Sequence, residues 1–391
     1  MRLPVRLSHR VMASVVASTL LVAGLTGCSS KDSSGGGGTL VIGADLNNSS
    51  DVDTAYARAL QLRIDQINTS GRLGNRKLAL RTQDNRSDPT SSLRNITTFA
   101  ADPDVVAIVA GSCDECVVGA AKTINDKQIP TIALAPADEV ATPVTARRYV
   151  FKLGPNSSDS AATMVAELRR AGDVPDVAIL YTDDLYGRGG DKALLAELDK
   201  TNIKVKASSK VKPAATDVSQ AVATLAASKA AALIVLAEPD QASLAATSAK
   251  AAGYQGKIYF DAAAAGDQFI APAAVAATNN ATMVFTQILA IDDVLATTPA
   301  KAARKQWFRD YTSRYGTYSG VASFAADAAD LIADAVVRAG NNRSRIRDIL
   351  ETSQIDGLSG PIRLTPDNHS GLMPQALTLL VARSGRWRLA S

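Results

Sequence analysis

The stretch Val105-Val106-Ala107-Ile108-Val109-Ala110-Gly111-Ser112-Cys113-Asp114-Glu115-Cys116-Val117-Val118-Gly119-Ala120-Ala121 decides how the rest of the chain is read. Its first six residues are an unbroken apolar run, the pattern of a strand buried on both faces. The run breaks at Gly111-Ser112 and resumes with helix-forming residues, so a polar quartet sits on a tight strand-to-helix turn. In open α/β sheets ligands bind at such turns, outside the carboxyl ends of the strands, where helix N-termini present unpaired N–H groups. The expectation is that this turn lies in a ligand cleft, and that most of the chain builds the cleft's two walls.

Strand and helix alternate on both sides of it. Upstream, Thr39 to Ala44 is a short strand, and Asp51 or Asp53 is the expected cap of a helix whose Tyr56, Leu60, Ile64 and Ile67 form one core-facing stripe. Lys77 to Thr82 is a second strand, and Asp88-Pro89 opens a helix with proline at an allowed early position. Downstream, Pro130 to Leu134 is a fourth strand, ending in Ala135-Pro136-Ala137-Asp138-Glu139. Units of this length imply a parallel sheet with right-handed crossovers.

Gly154-Pro155-Asn156-Ser157-Ser158-Asp159 is punctuated enough to carry the chain into a second lobe. There Val177 to Tyr181, Ile203 to Ser209, Ala231 to Leu236 and Lys257 to Phe260 read as strands, the first ending in the turn Thr182-Asp183-Asp184-Leu185-Tyr186-Gly187. Beyond Gln287 the pattern turns helical over Ala300 to Tyr315 and Ala322 to Ala339, then closes with strands at Gly360 to Leu364, Leu377 to Ala382 and Trp387 to Leu389. Trp307, Phe308, Tyr311 and Tyr315 mostly share one helix face and read as packing, with a docking patch for a partner as the alternative.

The N-terminus reads as an export signal. Arg2, Arg6 and Arg10 precede a mostly apolar run from Val11 to Leu25 that is too short for a comfortable membrane span. Leu25-Thr26-Gly27-Cys28 resembles the lipobox of bacterial lipoproteins, whose cysteine receives a diacylglyceryl group and becomes the mature N-terminus. Cys28 is therefore the expected lipidation site, residues 1–27 the signal peptide and residues 28–38 a Gly/Ser tether. Two or more acyl chains give stable anchoring, so the expected location is the outer face of the cytoplasmic membrane.

Composition excludes several classes. Residues 1–27 carry three arginines and no acid, which leaves 39 basic against 38 acidic side chains, with no dense basic stripe for a nucleic acid. About 350 mature residues exceed what one core supports, so two lobes are expected. The only histidines are His9 and His369, a poor basis for a Ser-His-Asp triad or a histidine-rich zinc site. No catalytic residue, metal or cofactor is expected.

Taken in order and spacing, Asp88-Pro89, Gly111-Ser112-Cys113, Ala135-Pro136-Ala137, Asp183 to Gly187, Ala251-Ala252-Gly253, and Gly360 to Leu364 with Asp367 resemble a known family. It is the type I periplasmic solute-binding proteins of the branched-chain amino-acid (Leu/Ile/Val)-binding kind, and the resemblance covers nearly the whole mature chain. It implies an α/β fold of two doubly wound, Rossmann-like lobes joined by three crossovers. Residues 39–153 plus 288–373 would form the N-terminal lobe, and 154–287 plus 374–391 the C-terminal lobe. It also implies a monomer without enzymatic activity that closes over a small-molecule ligand and delivers it to an ABC permease. A ligand bridging both walls favours the closed state by its differential affinity.

In the amino-acid-binding relatives, small hydroxyl residues after the third and fourth strands hold the ligand carboxylate. Here those turns read Cys113-Asp114-Glu115-Cys116 and Pro136-Ala137-Asp138-Glu139. An acid beside a bound carboxylate costs about 1 kcal/mol or more in a dry cleft. The expected ligand is therefore a small polar solute, an amino acid or an amine-like, cationic or hydroxylated compound. Tyr186 matches a family tyrosine that reaches the ligand from the second lobe. Glu238 aligns roughly with another, and Asp261 falls within one residue of the acid that takes the ligand amine. The candidate ligand residues are thus Ser112, Asp114, Glu115, Ala137, Asp138, Tyr186, Glu238 and Asp261, with Ser112 and Ala137 acting through backbone groups. The alternative for the acids is a role as solvated turn residues or N-caps.

Cys113 and Cys116 form a C-x-x-C pair at a helix N-terminus, with three readings. They are a local disulfide, the expected state in an exported protein; a redox-active pair; or part of a metal site with Asp114 or Glu115. Two further functions stay open beside transport: a sensor of the same fold, and a thiol-disulfide oxidoreductase using these cysteines.

Overall fold

Apolar runs between polar turns fold into two sheets. The computed structural model describes residues 38–267 and 270–390; the residues expected to form the signal peptide and the tether, Cys28 among them, lie outside these up to residue 37. The first sheet contains β1 (Thr39–Leu46), β2 (Lys77–Asp84), β3 (Val105–Ala110), β4 (Thr131–Ala133) and β5 (Val150–Lys152), all parallel, in the order β2-β1-β3-β4-β5. Helices α1 (Asp51–Thr69), α2 (Pro89–Ala101) and α3 (Asp114–Asp126) connect its strands. All six residues of β3 are buried, as the unbroken apolar run requires of a central strand.

Local chemistry fixes the helix starts. Asp88 caps α2 by accepting the Ser91 amide at 2.9 Å, with Pro89 at the first helical position. At α1 the cap is Ser50, whose hydroxyl accepts the Asp53 amide at 3.2 Å. This corrects the expectation of Asp51 or Asp53, because the Asp53 carboxylate turns inward under the β3 turn. Tyr56, Leu60, Ile64 and Ile67 are buried together on one face of α1.

The second lobe begins with α4 (Ser157–Ala171). It continues through β6 (Asp176–Thr182), α5 (Leu185–Leu198), β7 (Lys204–Val211), α6 (Ser219–Ala227), β8 (Ala232–Leu236), α7 (Pro239–Ala251), β9 (Lys257–Phe260), α8 (Pro272–Thr278) and β10 (Thr282–Thr286). The chain then passes back: α9 (Pro299–Tyr315), α10 (Ala322–Ala339) and α11 (Arg343–Leu350) precede the hairpin of β11 (Gln354–Asp356) and β12 (Pro361–Arg363), with α10 packed on α1 and α11 against β3. A third passage delivers β13 (Leu377–Arg383) and β14 (Arg386–Leu389) to the second sheet, whose order is β14-β13-β10-β9-β8-β6-β7. β6 to β10 are parallel, and β13 and β14 join antiparallel. On α9, Trp307 and Tyr311 are buried, and the indole donates to the Tyr318 hydroxyl at 3.2 Å, so the aromatic face packs.

The first passage is held by a buried cation. Lys152, fully buried at the end of β5, donates to the Gly154 carbonyl at 3.2 Å, to the Pro155 carbonyl, and to Asp138 at 3.3 Å. Strand order reverses between β1 and β3 in one sheet and between β6 and β8 in the other. Doubly wound sheets open a crevice at that point, so each lobe offers one mouth to a shared cleft. Among the described residues no helix is long and apolar enough to cross a membrane.

Candidate functional site

Between the carboxyl ends of the two sheets lies a cavity of about 530 Å³, counting the space open to solvent. The first lobe lines it with Val52 and Tyr56 of α1, Ser112 after β3, Leu134 and Pro136 after β4, and Val321 and Phe324 at the start of α10. Gly154 and Pro155 come from the passage between lobes. The second lobe contributes Ser157 and Ser160 of α4, Tyr186 of α5, Glu238 after β8, and Asp261, Ala262 and Ala263 after β9.

The first wall is built around Asp53. Its carboxylate accepts the Asn47 amide at 2.6 Å and the Ser112 amide at 2.8 Å, which fixes the turn after β3. Burial pushes its pKa up to about 6, against those two hydrogen bonds. Gly111 makes this approach possible, since a Cβ there would stand 2.5 Å from Asp53 Oδ2. The Tyr56 hydroxyl donates to the Leu134 carbonyl at 3.2 Å, joining α1 to the turn after β4.

The second wall centres on Asp261, which accepts the Tyr186 hydroxyl and, at 3.2 Å, the Ala263 amide. Burial raises the Asp261 carboxyl to about 6, with the Tyr186 hydrogen bond opposing. Glu238 is raised further, to about 7, first by burial and then by the acids Asp53, Asp184, Asp240 and Glu115. The lining contains no lysine, arginine or histidine. Such a cavity suits an occupant that brings positive charge or hydrogen-bond donors, because two enclosed carboxyl groups lack protein cations.

Of the eight candidate ligand residues, Ser112, Tyr186, Glu238 and Asp261 line the cavity, and four do not. Asp114 is buried and accepts the Ala137 amide at 2.8 Å, stitching the turn after β3 to the turn after β4 and occupying both residues. Glu115 is exposed and accepts the Leu185 amide of the opposite lobe at 3.4 Å. Asp138 pairs with Lys152 at 3.3 Å and accepts the Ser157 amide at 3.2 Å. Each of these acids meets a backbone N–H, the role of turn and cap residues. Cys113 and Cys116 are joined by a disulfide, their Cα atoms 5.2 Å apart. Among the described residues no group of three or more His, Cys, Asp or Glu side chains could hold a metal ion.

Sequence reading did not single out Tyr56, Ser157, Ser160, Val321 or Phe324 as lining residues. One signal was available: the two lobes repeat each other. Ser112 and Glu238 both follow the strand beyond the order reversal, and Tyr56 and Tyr186 both lie on the helix after a lobe's first doubly wound strand. Matching the lobes strand for strand picks out Tyr56 as the counterpart of Tyr186.

Residues 44–386 match the sequence profile of a family described as periplasmic binding protein. No curated protein matches the chain. An extracellular ligand-binding receptor from Rhodopseudomonas palustris HaA2 superposes with a TM-score of 0.81 at 19% identity, covering 90% of this chain and 99% of that one. The leucine-binding protein LivK of Thermotoga maritima MSB8 gives 0.76 at 18% identity, covering 90% and 98%. The branched-chain amino-acid transporter substrate-binding protein LivJ of Streptococcus pneumoniae, in complex with isoleucine, gives 0.75 at 18%, covering 90% and 99%. At these identities the likeness is one of fold.

Proposed function

The chain belongs to the periplasmic binding protein family, with the two α/β lobes of its type I fold, and from that membership we propose that it captures a small amine-bearing solute between the lobes for an ABC importer. One observation carries the ligand class: Asp261 and Glu238 share a cavity whose lining has no cationic side chain. A protonated amine against Asp261 supplies the missing charge, and the carboxylate becomes its charge-assisted acceptor. Isoleucine, the occupant of the pneumococcal structure, also carries an ammonium. Its carboxylate is the part this cavity suits poorly. Leu134 and Pro136 follow β4, and the Ser112 amide is already given to Asp53. The export signal and lipobox support a lipoprotein anchored through Cys28 to the outer face of the cytoplasmic membrane, where it meets the permease.

A thermal-shift panel of amines, amino acids, amides and sugars tests the ligand class. Amines without a carboxylate are expected to give the largest shifts, and leucine or valine heading the panel overturns the reading. X-ray scattering should show compaction with the best ligand. Deletion of the gene should abolish uptake of that solute, and Cys28→Ser should release the protein from the membrane; retained uptake refutes the transport role.

A further inference from the structure

Glu238 is a carboxyl group that its own protein leaves without a donor. Among the described residues the buried aspartates Asp45, Asp53, Asp114, Asp261 and Asp327 each accept at least one hydrogen bond from the protein. The Glu238 carboxylate, partly buried in the cavity wall, accepts none among the described residues. Glu238 is the N-cap residue of α7 and makes no side-chain capping hydrogen bond, which leaves its carboxylate to the cavity.

Glu238 lines the cavity together with Tyr56 of the first lobe and Tyr186 of the second. The groups acting on it are Asp53 from α1, Asp184 at the start of α5, Asp240 on its own helix and Glu115 from α3, all acidic. Asp261 stands on the neighbouring strand: β8 and β9 pair with Val235 beside Phe260, and the two acids leave the carboxyl ends of these adjacent strands. Two carboxyl groups stand on one wall, Asp261 held by Tyr186 and Glu238 by no donor among the described residues, so an occupant carrying two cations matches both in their ionised forms.

We propose that Glu238 forms a second cation subsite beside Asp261, and that the cleft selects short organic dications such as diamines over monoamines. The proposal rests on the amine reading above and goes beyond it by fixing the number of charges. Binding is then coupled to protons. Near neutral pH the free Glu238 is partly protonated, so a dication that ionises it releases protons on binding, and a monoamine at Asp261 releases fewer.

The test is calorimetry at pH 7 with 1,4-diaminobutane and 1,5-diaminopentane against 1-aminobutane and 1-aminopentane, in two buffers of different ionisation enthalpy. The diamines are expected to bind at least 30-fold more tightly than their monoamine partners, with measurable proton release. Glu238→Gln should lower diamine affinity 30-fold or more and monoamine affinity threefold or less. It should also abolish the extra proton release without lowering the ligand-free melting temperature. Asp261→Asn should weaken both series. Equal affinity for the two series, or equal losses in Glu238→Gln, overturns the second subsite and leaves the amine reading standing. Failure of both series to bind the wild-type protein overturns the amine reading and the subsite with it.

Discussion

The Tyr186 hydroxyl donates to the carboxylate of Asp261, so the helix after β6 and the turn after β9 meet at an acid that lines the cavity. Asp261 titrates at about 6, and Tyr186 keeps that value from rising further. In Tyr186→Phe this donor is gone and more of Asp261 is protonated between pH 6 and 7. Monoamine affinity should fall about tenfold at pH 6.5, by the order of a charge-assisted hydrogen bond. The deficit should shrink by pH 8, where the carboxylate is ionised in both proteins. Calorimetry with 1-aminobutane across this range checks it; a loss independent of pH would mean that Tyr186 acts by packing on the ligand.

Lys152 makes a second, purely structural prediction. Its ammonium is fully buried and satisfies the Gly154 and Pro155 carbonyls, with Asp138 and Asn156 completing the shell at 3.3 and 3.4 Å. Lys152→Met removes a buried cation from a knot of acceptors at the first passage between lobes. Breaking a buried ionic cluster from one side costs about 3–5 kcal/mol. Asp138 has 34% of its side chain exposed, so Asp138→Asn should cost about 1 kcal/mol or less. Urea unfolding of the two variants measures the difference, and equal midpoints would refute the assignment.

What the sequence makes legible here is the position of turns, and what it hides is the direction of side chains within them. The apolar run at β3 and the break at Gly111 locate the cleft and Ser112 with it, whereas Tyr186 comes from the resemblance to the family. Asp114, Glu115 and Asp138 stand in the same turns but meet backbone amides. A carboxylate one residue further into a helix serves a different N–H, and no spacing rule distinguishes the two outcomes. Tyr56 hid inside its stripe because a helix face has one periodicity whether it ends on core or on a cavity. Val321 and Phe324 reach the cleft from more than 160 residues beyond Pro155, a distance that local patterns do not carry. The antiparallel attachment of β13 and β14 is likewise invisible in alternation alone.

Asp327 couples stability to pH. Fully buried on α10, it accepts the Leu358 amide at 2.6 Å and the Ser359 amide at 2.8 Å, and burial raises it to about 7. A carboxyl group whose folded pKa lies above its unfolded value contributes stability that is complete below about pH 4 and disappears as pH rises through 7. The full span is worth at most about 4 kcal/mol. Asp327→Asn should therefore be most destabilised relative to wild type at pH 4.5, with the gap narrowing by pH 8. Urea unfolding at both values checks it, and a gap that widens with pH has the wrong sign for a group held neutral by burial.

Glu115 joins the two lobes without lining the cavity. Its carboxylate comes from α3 of the first lobe and accepts the Leu185 amide at 3.4 Å, at the first residue of α5 in the second. A negative charge at a helix N-terminus is favourable, modestly so at an exposed site. The contact joins two elements on opposite lobes, so it adds to the closed state and does not depend on which ligand is inside. By the population-shift argument, Glu115→Gln should weaken every ligand by the same factor, about two- to fivefold, mainly through faster release. A ligand-binding acid behaves otherwise: its removal penalises cationic ligands and spares neutral ones. Stopped-flow dissociation of a matched amine and amide separates the two, and a loss confined to the amine would assign Glu115 to the ligand.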